Sequence, residues 1–387
     1  MYKVKTLNKI SATGLAALDP SKYTIADELD APDAILLRSA KMHDYTFNPE
    51  LVCIGRAGAG VNNIPLDRCS EDGIVVFNTP GANSEAVKEL ALCGMLLAAR
   101  DVYGGMKWTE DLAGDPEAAA KVEKGKSQFT GPELYGKKLG IIGLGAIGYK
   151  LANAAVALGM HVCGYDPFLS LESAWKLSSD VQYIESLETL YKECDYISLH
   201  LPVNDKTRGM IDAKTIAQMK DGVRIINMAR AELVNDADLL AALKSGKVAK
   251  YVTDFPNGDT AGAEGVIAIP HLGASTPESE ENCAIMAAEE IRDYLEHGII
   301  RNSVNMPEAY LPPSDNVRIC FVHHNIPAVI TGVLQIVADG GLNVENMMNK
   351  SRDKFSYCMV DVSGPVGAEL VEKMLQVDGV IRVRVID

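Results

Sequence analysis

The most constraining feature of this chain is a glycine motif, Gly143-Leu144-Gly145-Ala146-Ile147-Gly148, together with the segments on either side of it. The apolar run Lys138–Ile142 precedes the motif and predicts a buried parallel strand, whereas residues 149–158 have the apolar spacing of a helix. A second strand is predicted over His161–Tyr165, and Asp166 follows it, eighteen residues beyond Gly148. This order of strand, G-x-G-x-x-G turn, helix, strand and acidic residue is the full pattern of a dinucleotide-binding βαβ unit.

Each part of this pattern has a physical role in holding a dinucleotide. Gly143, Gly145 and Gly148 permit the tight turn and let backbone N–H groups approach the pyrophosphate at a helix N-terminus. The carboxylate of Asp166 would accept hydrogen bonds from the ribose diol and would repel a 2′-phosphate. We therefore predict NAD rather than NADP as the cofactor. The alternative is a glycine-rich turn that binds no ligand.

Length and charge exclude several classes of protein. A chain of 387 residues is too long for one ordinary domain, so two or three domains are expected. The formal net charge of −15 and the lack of a basic run argue against nucleic-acid binding. The N-terminus has no signal-peptide core, and no apolar run is long enough to span a membrane. The eight cysteines lack metal-ligand spacing, so we predict no metal site and reduced thiols in a cytoplasmic protein.

Strand-like and helix-like runs on both sides of the motif predict an α/β fold with parallel sheets. Before the motif, strands are predicted over residues 34–37, 51–55 and 74–78, and a long helix over residues 84–101, for which Asn83 offers an N-cap. After the motif, further strands are predicted over residues 196–199, 223–227, 251–253 and 266–269, and a second long helix over residues 278–297.

The end of the chain has a different pattern. Residues 302–313 contain prolines and polar residues, as linkers do. Beyond them the predicted order is βαββαβ, with strands at 317–322, 357–362 and 381–386 and helices at 327–340 and 367–376. This order predicts a small ferredoxin-like module, and its lack of catalytic side chains favours a regulatory role.

Polar residues follow several predicted strands in the second half of the nucleotide-binding unit, where open parallel sheets bind ligands. Arg230, Asp254 and His271 each follow a strand, and Asp259 lies five residues after Asp254. Hydride removal from an alcohol needs a base for the hydroxyl proton, a carboxylate that supports this base, and a cation that binds the substrate carboxylate. We predict these roles for His271, Asp259 and Arg230, respectively. Taken alone, each could instead be a capping, turn or surface ion-pair residue.

The chain resembles the D-isomer-specific 2-hydroxyacid dehydrogenases over essentially its whole length. Besides residues 143–148, the resembling segments are Arg38-Ser39, residues 55–63, 78–80, 165–167, 200–202, 227–230 and 270–276. The resemblance implies two interdigitated, doubly wound parallel-sheet domains, with an NAD-binding Rossmann fold inserted in a flavodoxin-like substrate domain. It puts the substrate-binding domain at residues 1–98 and 285–312, the Rossmann domain at 99–284 and the C-terminal module at 315–387.

The resemblance also implies an activity and a set of site residues. The expected reaction is the NAD-dependent oxidation of 3-phosphoglycerate, the first step of L-serine biosynthesis, and Arg38 and Arg56 would meet the phosphate. The residues expected around the substrate are Arg38, Ser39, Arg56, Ala57, Gly58, Asn83, Arg230 and His271. Those expected around NAD are Gly143, Gly145, Ala146, Ile147, Gly148, Asp166, Pro202, Thr207, Met228, Ala229, Arg230, Asp254, His271 and Gly273.

Two positions depart from the family pattern. The family usually has a glutamate five residues after the aspartate at position 254. Here Asp259 holds that spacing, and Glu264 is the alternative partner for His271. Asp254 is expected to face the nicotinamide carboxamide. Ala146 stands where many relatives have an arginine over the pyrophosphate, so one charge-assisted contact is lost.

The C-terminal module resembles an ACT domain, the amino-acid-sensing fold attached to many such dehydrogenases. His323, Asn325 and Asn343 fall where relatives hold L-serine between two modules, so serine is an expected effector. Ala328 replaces the usual glycine, and its methyl group would hinder a close backbone approach. The alternative is a purely structural dimerisation module.

Two other functions remain open on the sequence. A glyoxylate or hydroxypyruvate reductase of the same fold is disfavoured by Arg38, Arg56 and the C-terminal module. A non-catalytic, NADH-sensing corepressor could retain the catalytic residues, but the chain has no partner-binding motif. The expected partners are the small-molecule substrate and further copies of the chain, as a homodimer or homotetramer, for which Trp108 is a candidate contact.

Overall fold

The computed structural model describes residues 1–387, apart from the side chain of Glu172. The chain divides into two compact units, Met1–Ala82 with Glu280–Asp387 and Asn83–Ser279. The expected domain limits were 1–98 with 285–312, 99–284 and 315–387. In the structure, the long helix after Asn83 belongs to the second unit and the C-terminal module to the first. A compact unit is not the same as a domain that folds by itself. The expected limits therefore stay predictions of which parts of the chain can fold alone.

The first unit is built on a five-stranded parallel sheet. Its strands are β1 (Tyr2–Leu7), β2 (Tyr23–Ala26), β3 (Ala34–Leu37), β4 (Cys53–Arg56) and β5 (Val75–Asn78), with helices α1 (Ala12–Leu15) and α2 (Leu66–Glu71). All four residues of the central strand β3 are apolar and buried, as a parallel strand covered on both faces requires. The strand order β2-β1-β3-β4-β5 is that of flavodoxin-like folds, which confirms the expected class.

The second unit holds a seven-stranded parallel sheet. Its strands are β6 (Lys138–Ile142), β7 (His161–Tyr165), β8 (Gln182–Tyr183), β9 (Tyr196–Leu199), β10 (Val223–Asn227), β11 (Val248–Thr253) and β12 (Val266–Ala268). Its helices are α3 (Ser84–Ala99), α4 (Val102–Glu110), α5 (Ala118–Gly125), α6 (Gly148–Ala157), α7 (Leu171–Lys176), α8 (Leu187–Glu193), α9 (Ala213–Gln218) and α10 (Asp236–Ser245). The order β8-β7-β6-β9-β10-β11-β12 is the Rossmann order, with its switch point between β6 and β9.

The long helix α11 (Pro277–His297) leads back into the first unit and on to the C-terminal module. The module consists of β13 (Val317–His324), α12 (Val329–Asp339), β14 (Val344–Arg352), β15 (Phe355–Val362), α13 (Ala368–Leu375) and β16 (Val380–Ile386). These strands form an antiparallel sheet in the order β14-β15-β13-β16, so the expected ferredoxin-like βαββαβ module is confirmed. No helix in the described part of the chain has the length and apolarity that a membrane crossing requires.

The C-terminal module shares an apolar core with the five-stranded sheet. Val322, Tyr357 and Ile386 of the module are buried in one cluster with Phe77 and Tyr294. The hydroxyl of Tyr357 also donates a 2.7 Å hydrogen bond to the carbonyl of residue 298, just beyond α11. The module is therefore part of the hydrophobic core of the first unit.

Residues 302–313 do not form the free linker that their composition predicts. Met306 and Ala309 are buried. Ser303 forms an antiparallel bridge with Phe77, and Ala309 forms another with Ile300. Residues 303–309 thus belong to a packed connection whose backbone pairs with neighbouring segments, whereas Tyr310, Pro312 and Pro313 are exposed.

Candidate active site

The glycine motif forms a tight turn between β6 and α6 that requires glycine at positions 143 and 148. Gly143 has φ +95°, and a Cβ there would lie 2.3 Å from the carbonyl oxygen of His200. A Cβ on Gly148 would lie 1.9 Å from the carbonyl oxygen of Gly143. At Gly145 a Cβ would meet no atom within 4 Å, so this position borders open space. The turn therefore has the closed base and the open rim that a pyrophosphate requires.

Asp166 lies at the mouth of this turn, directly after β7. One carboxylate oxygen, Oδ2, accepts a 2.9 Å hydrogen bond from the N–H of Leu144, and Oδ1 accepts one of 2.9 Å from the N–H of Phe168. These bonds fix the carboxylate beside the glycine motif while each oxygen keeps a free lone pair. Ala146 is exposed on the rim, and Ile147 is half-buried at the start of α6. The positions of Asp166, Ala146 and Ile147 around the turn fit a bound dinucleotide.

Other residues predicted to bind the cofactor follow β9 and β10. The hydroxyl of Thr207 donates a 2.7 Å hydrogen bond to the carbonyl of Pro202, which closes the loop after β9. Met228 is buried, and Ala229 is half-buried beside it. These residues lie beyond the carboxyl ends of their strands, at the edge of the sheet where the sequence predicts them.

Asn227 fixes the turn that carries Arg230, a role that no sequence pattern indicates. The Asn227 side chain is fully buried at the end of β10. Its Oδ1 accepts hydrogen bonds of 3.1 Å and 3.3 Å from the N–H groups of Ala229 and Arg230. Its Nδ2 donates a 2.8 Å bond to the carbonyl of Arg230 and a 3.0 Å bond to the hydroxyl of Tyr251. The backbone of the predicted cation is thus rigidly held.

Phe255 contacts both residues predicted to act on the substrate. The guanidinium carbon of Arg230 is 5.6 Å from the centroid of the Phe255 ring. The ring centroids of Phe255 and His271 are 4.4 Å apart, with an interplanar angle of 44°. The aromatic face favours a cation at Arg230 and supports the imidazole ring of His271. No signal in the sequence marks this role, because a phenylalanine after a strand is usually a core residue.

Asp254 is the buried acid of this cluster. It is 1% exposed, and its Oδ2 accepts a 3.2 Å hydrogen bond from the N–H of Gly273. Its Oδ1 is buried without a partner among the described residues. Burial raises the pKa of Asp254, and the hydrogen bond from Gly273 and the charges of His271 and Arg230 act in the opposite direction. The carboxyl group therefore keeps one buried oxygen that is free to accept a further hydrogen bond.

Asp259 and Glu264 lie apart from the histidine that they were predicted to support. Both are exposed in the loop between β11 and β12. The N–H of Asp259 donates a 3.0 Å hydrogen bond to Oδ1 of Asn257, as in an Asx turn. In the described part of the chain, neither carboxylate forms a hydrogen bond or ion pair with His271. The structure brings Arg230, Asp254 and His271 into one cluster with Phe255, and the role of Asp259 stays a prediction.

In the first unit, the predicted phosphate residues lie at the ends of neighbouring strands: Arg38 follows β3, and Arg56 is the last residue of β4. Nε of Arg56 donates a 3.1 Å hydrogen bond to the carbonyl of Arg38, and the Arg38 guanidinium forms a 2.6 Å ion pair with Glu280. Burial lowers the pKa of Arg56, and the charge of Arg38 lowers it slightly further. Gly58 has φ +144°, and a Cβ there would lie 2.2 Å from Nη1 of Arg56. The residue at 58 must therefore be glycine for the guanidinium to occupy this place, with Ala57 buried next to it.

The loop that follows β3 is anchored by two asparagines, Asn8 and Asn63, that were not among the predicted site residues. Asn8 follows β1 with φ +76°, and its Oδ1 accepts hydrogen bonds of 3.0 Å and 2.7 Å from the N–H groups of Ser39 and Ala40. Nδ2 of Asn63 donates a 2.8 Å bond to the carbonyl of Ala40. These bonds set the course of the backbone at Arg38. The role of Asn8 depends on the pairing of β1 with β3, which only the folded chain shows.

Asn83, the remaining predicted substrate residue, is in the second unit. It precedes α3 as expected, with φ −92° and ψ 8°, but its side chain makes no capping hydrogen bond. Asn83 thus precedes the helix as predicted, but the predicted capping hydrogen bond is wrong. A capping residue needs extended backbone angles for its side chain to reach the N–H groups of the first turn. The side chain stays available for another partner.

The predicted effector residues have partners within the C-terminal module. His323 is 2% exposed, and its Nε2 lies 3.0 Å from Oδ1 of Asn349. Nδ2 of Asn325 donates a 3.2 Å bond to the carbonyl of Asp353, and Nδ2 of Asn343 donates a 2.9 Å bond to Glu345. Asn325 and Asn343 are exposed, so of the three only His323 is enclosed.

Comparison with known proteins agrees with this geometry. The family profile described as the D-isomer specific 2-hydroxyacid dehydrogenase, NAD binding domain, matches residues 94–273. The chain is 35% identical to a D-3-phosphoglycerate dehydrogenase from Haemophilus influenzae, over 87% of this chain and 82% of that protein.

Two solved structures have the same fold. A cofactor (NAD+)-bound 3-phosphoglycerate dehydrogenase from Entamoeba histolytica matches with a TM-score of 0.58 and 26% identity, over 80% of this chain and 99% of that one. A glyoxylate reductase from Paecilomyes thermophila matches with a TM-score of 0.62 and 26% identity, over 78% and 98% of the two chains. Because proteins that act on different hydroxy acids match equally well, the substrate must be argued from the residues of the site.

Proposed function

Since the chain belongs to the D-isomer specific 2-hydroxyacid dehydrogenase family, we propose that it is an NAD-dependent dehydrogenase that oxidises 3-phospho-D-glycerate to 3-phosphohydroxypyruvate. This is the first step of L-serine biosynthesis. The observation that carries the substrate is the pair of arginines at the ends of β3 and β4, Arg38 and Arg56. A dianionic phosphate group accounts for two neighbouring cations, both half-buried, which an unphosphorylated hydroxy acid does not need.

The residues of the second unit would carry the chemistry. Bound NAD supplies the hydride acceptor. His271 takes the proton from the substrate hydroxyl, and Arg230 binds the substrate carboxylate and stabilises charge on the forming carbonyl oxygen. Phe255 keeps the guanidinium and the imidazole in place. The exposure of His271 and Arg230 leaves both free to meet a substrate.

The residues around the glycine motif fit NAD. Gly145 leaves room for the pyrophosphate, and Asp166 would accept the ribose hydroxyl groups. The unpaired, buried Oδ1 of Asp254 suits an amide donor such as the nicotinamide carboxamide. Asp166 would oppose a 2′-phosphate, so kcat/KM with NADP should be at least tenfold lower, which corresponds to about 1.4 kcal/mol. Equal kcat/KM values with the two cofactors would contradict this assignment.

The central experiment is the formation of NADH from 3-phosphoglycerate, with D-glycerate and malate as controls. Arg38→Ala should raise KM for 3-phosphoglycerate roughly 10–100-fold, because it removes one charge-assisted contact with the phosphate. The same variant should leave KM for D-glycerate almost unchanged. If the protein prefers glyoxylate or hydroxypyruvate as a substrate for reduction, it is a reductase of the same fold. If it binds NADH but turns over no hydroxy acid, it is instead a non-catalytic, NADH-sensing protein.

The acid–base assignment has its own test. His271→Ala should lower kcat by roughly 10²–10⁴, the usual contribution of a general base, with little change in the affinity for NAD. We propose Asp259 as the partner that stabilises the charged imidazole, with Glu264 as the alternative. Asp259→Asn should then move the acidic limb of the pH–rate profile to lower pH, and Glu264→Gln should not. The opposite result would assign the role to Glu264.

Regulation and assembly are further parts of the proposal. L-Serine would bind at His323, Asn325 and Asn343 of two modules in a homodimer or homotetramer. Calorimetry with L-serine on the full-length protein, together with light scattering for its mass, tests both statements. Absence of binding at millimolar serine would leave the module as a structural part of the first unit.

A further inference from the structure

Two cysteines of the Rossmann unit contact each other and take no part in the site described above. Cys163 lies in β7, and Cys194 follows the last residue of α8. Both side chains are buried, and their Sγ atoms are 3.4 Å apart. Among the described side chains, none of the other six cysteines has a sulfur partner at this range.

A glycine on the neighbouring strand gives the two sulfurs their room. Gly140 lies opposite Cys163 in the register of β6 and β7. A Cβ at this glycine would approach the Sγ of Cys194 to 2.8 Å. Any larger residue at position 140 would therefore displace Cys194, so the contact between the sulfurs depends on this glycine.

A surface ion pair lies beside the two thiols. Lys138, the first residue of β6, pairs with Glu193, the residue that precedes Cys194. The side chains of Lys138 and Glu193 are 24% and 46% exposed, so this ion pair is accessible to solvent. Buried thiols are normally inert, so an oxidant must reach the two cysteines through a local opening of the chain.

The electrostatics of the pair favour a reactive sulfur at Cys163. The hydrogen bond from Cys194 lowers the pKa of Cys163, and burial opposes this effect. The charge of Lys138 lowers the pKa further, while the charge of Glu193 raises it. Cys53 is equally buried and has no thiol partner among the described side chains, and burial raises its pKa to about 12. The thiolate is the form that reacts with oxidants, so the eight cysteines should differ in their reactivity.

We propose that Cys163 and Cys194 are a modification site at which a peroxide converts the two thiols to an intramolecular disulfide. The Cys163 thiolate attacks one peroxide oxygen; an S–O bond forms, the O–O bond breaks, and hydroxide leaves, which gives a sulfenic acid. Cys194 then attacks this sulfur; an S–S bond forms, the S–O bond breaks, and water leaves with the thiol proton. Two thiols and one hydrogen peroxide thus give one disulfide and two waters. The product ties β7, which leads to Asp166, to the end of α8.

The test uses reduced, full-length protein treated with graded hydrogen peroxide and then alkylated under denaturing conditions. Mass spectrometry of the digest should find a Cys163–Cys194 cross-link. Before alkylation the intact mass should be about 2 Da lower than that of the reduced protein, and dithiothreitol should restore it. The cross-link should form at lower peroxide concentrations than any oxidation of Cys53. Neither result depends on the proposed activity.

Two variants sharpen the test. Cys93 is exposed, so Cys93→Ser is the matched control and should leave the cross-link unchanged. Cys194→Ser should abolish the cross-link and let dimedone trap the sulfenic acid at Cys163. The proposal would be overturned if Cys93 is oxidised at a peroxide concentration at which Cys163 and Cys194 are both still reduced, as shown by their alkylation. A disulfide that joins either cysteine to a third one would also overturn it. These two outcomes are measured on the wild-type chain, so a folding defect in either variant would not change them.

Discussion

Glu290 is a buried carboxyl group that should make the first unit less stable as the pH rises. Its side chain lies in α11 and is 5% exposed. Oε1 accepts a 2.7 Å hydrogen bond from Nδ2 of Asn302, while Oε2 is buried without a partner among the described residues. Burial raises the pKa of Glu290 to about 8, with the hydrogen bond from Asn302 opposing the shift and the charge of Asp293 adding to it.

The sign of the effect follows from proton linkage. In the unfolded chain Glu290 titrates near pH 4.5, so between this pH and about 8 the folded state binds more protons than the unfolded state. The stabilisation by the neutral carboxyl group is therefore complete below pH 4.5 and is lost as the pH rises through about 8. Between pH 5.5 and 8.5 the expected loss is about 3 kcal/mol, because one pKa unit corresponds to about 1.4 kcal/mol.

Glu290→Gln tests this reasoning. The variant keeps an oxygen for Asn302 and replaces the ionisable Oε2 with an amide nitrogen, whose burial costs the same at every pH. Urea denaturation followed by circular dichroism at pH 5.5 and 8.5 gives the free energy of unfolding. It should fall about 3 kcal/mol more in the wild-type protein than in the variant. Glu289→Gln, at the exposed neighbouring position, is the control and should keep almost all of the wild-type pH dependence, because the charge of Glu289 is the smallest of the causes that raise the pKa of Glu290. Equal pH dependence in the wild type and Glu290→Gln would refute the reasoning.

Three further substitutions test the packing of the first unit. Asn8→Ala removes the acceptor that holds the loop at Arg38, so it should raise KM for 3-phosphoglycerate about tenfold with kcat almost unchanged. Asn8→Asp keeps an acceptor and should restore KM. Equal KM values in the wild type and both variants would exclude this role of Asn8. Arg382→Ala removes three hydrogen bonds of 2.8–3.0 Å to backbone carbonyls and should lower the free energy of unfolding by about 2–4 kcal/mol, whereas exposed Lys373→Ala should not. Ala328→Gly relieves φ +71° and should stabilise the protein by about 1 kcal/mol in thermal unfolding; no gain would count against strain at this residue.

The fold could be predicted because its signals are local. The glycine motif, the apolar strand runs and Asp166 lie within a short stretch of chain, and parallel βαβ units have few alternative topologies. The strands β1 and β2 were not predicted, since Tyr2–Leu7 and Tyr23–Ala26 mix polar and apolar residues and are partly exposed. The linker at residues 302–313 was predicted wrongly because composition does not report which backbone groups find partners in a distant sheet.

The candidate site was predictable only where a motif carries the residue. Arg230 and His271 stand in recognisable segments at strand ends, and the structure puts both against one aromatic ring. Phe255 and Asn8 act through neighbours that are distant in sequence, so nothing in the local pattern marks them. Ala328 is an intermediate case. Its departure from the usual glycine was visible in the sequence, and the structure adds that the backbone there still has the φ +71° that glycine favours.

The packing of the C-terminal module restricts how an effector could act on the site. Tyr357 and Ile386 of the module are buried against Tyr294 of α11, and Arg384 donates to the carbonyl of the same tyrosine. A module with such a shared core does not move as a free domain, since separation would expose buried apolar surface and unpaired carbonyls. Serine could therefore inhibit only by preferring one arrangement of the whole first unit, which also carries Arg38. If bound serine lowers the affinity for substrate tenfold, linkage requires that bound substrate lowers the affinity for serine tenfold. This corresponds to about 1.4 kcal/mol of coupling.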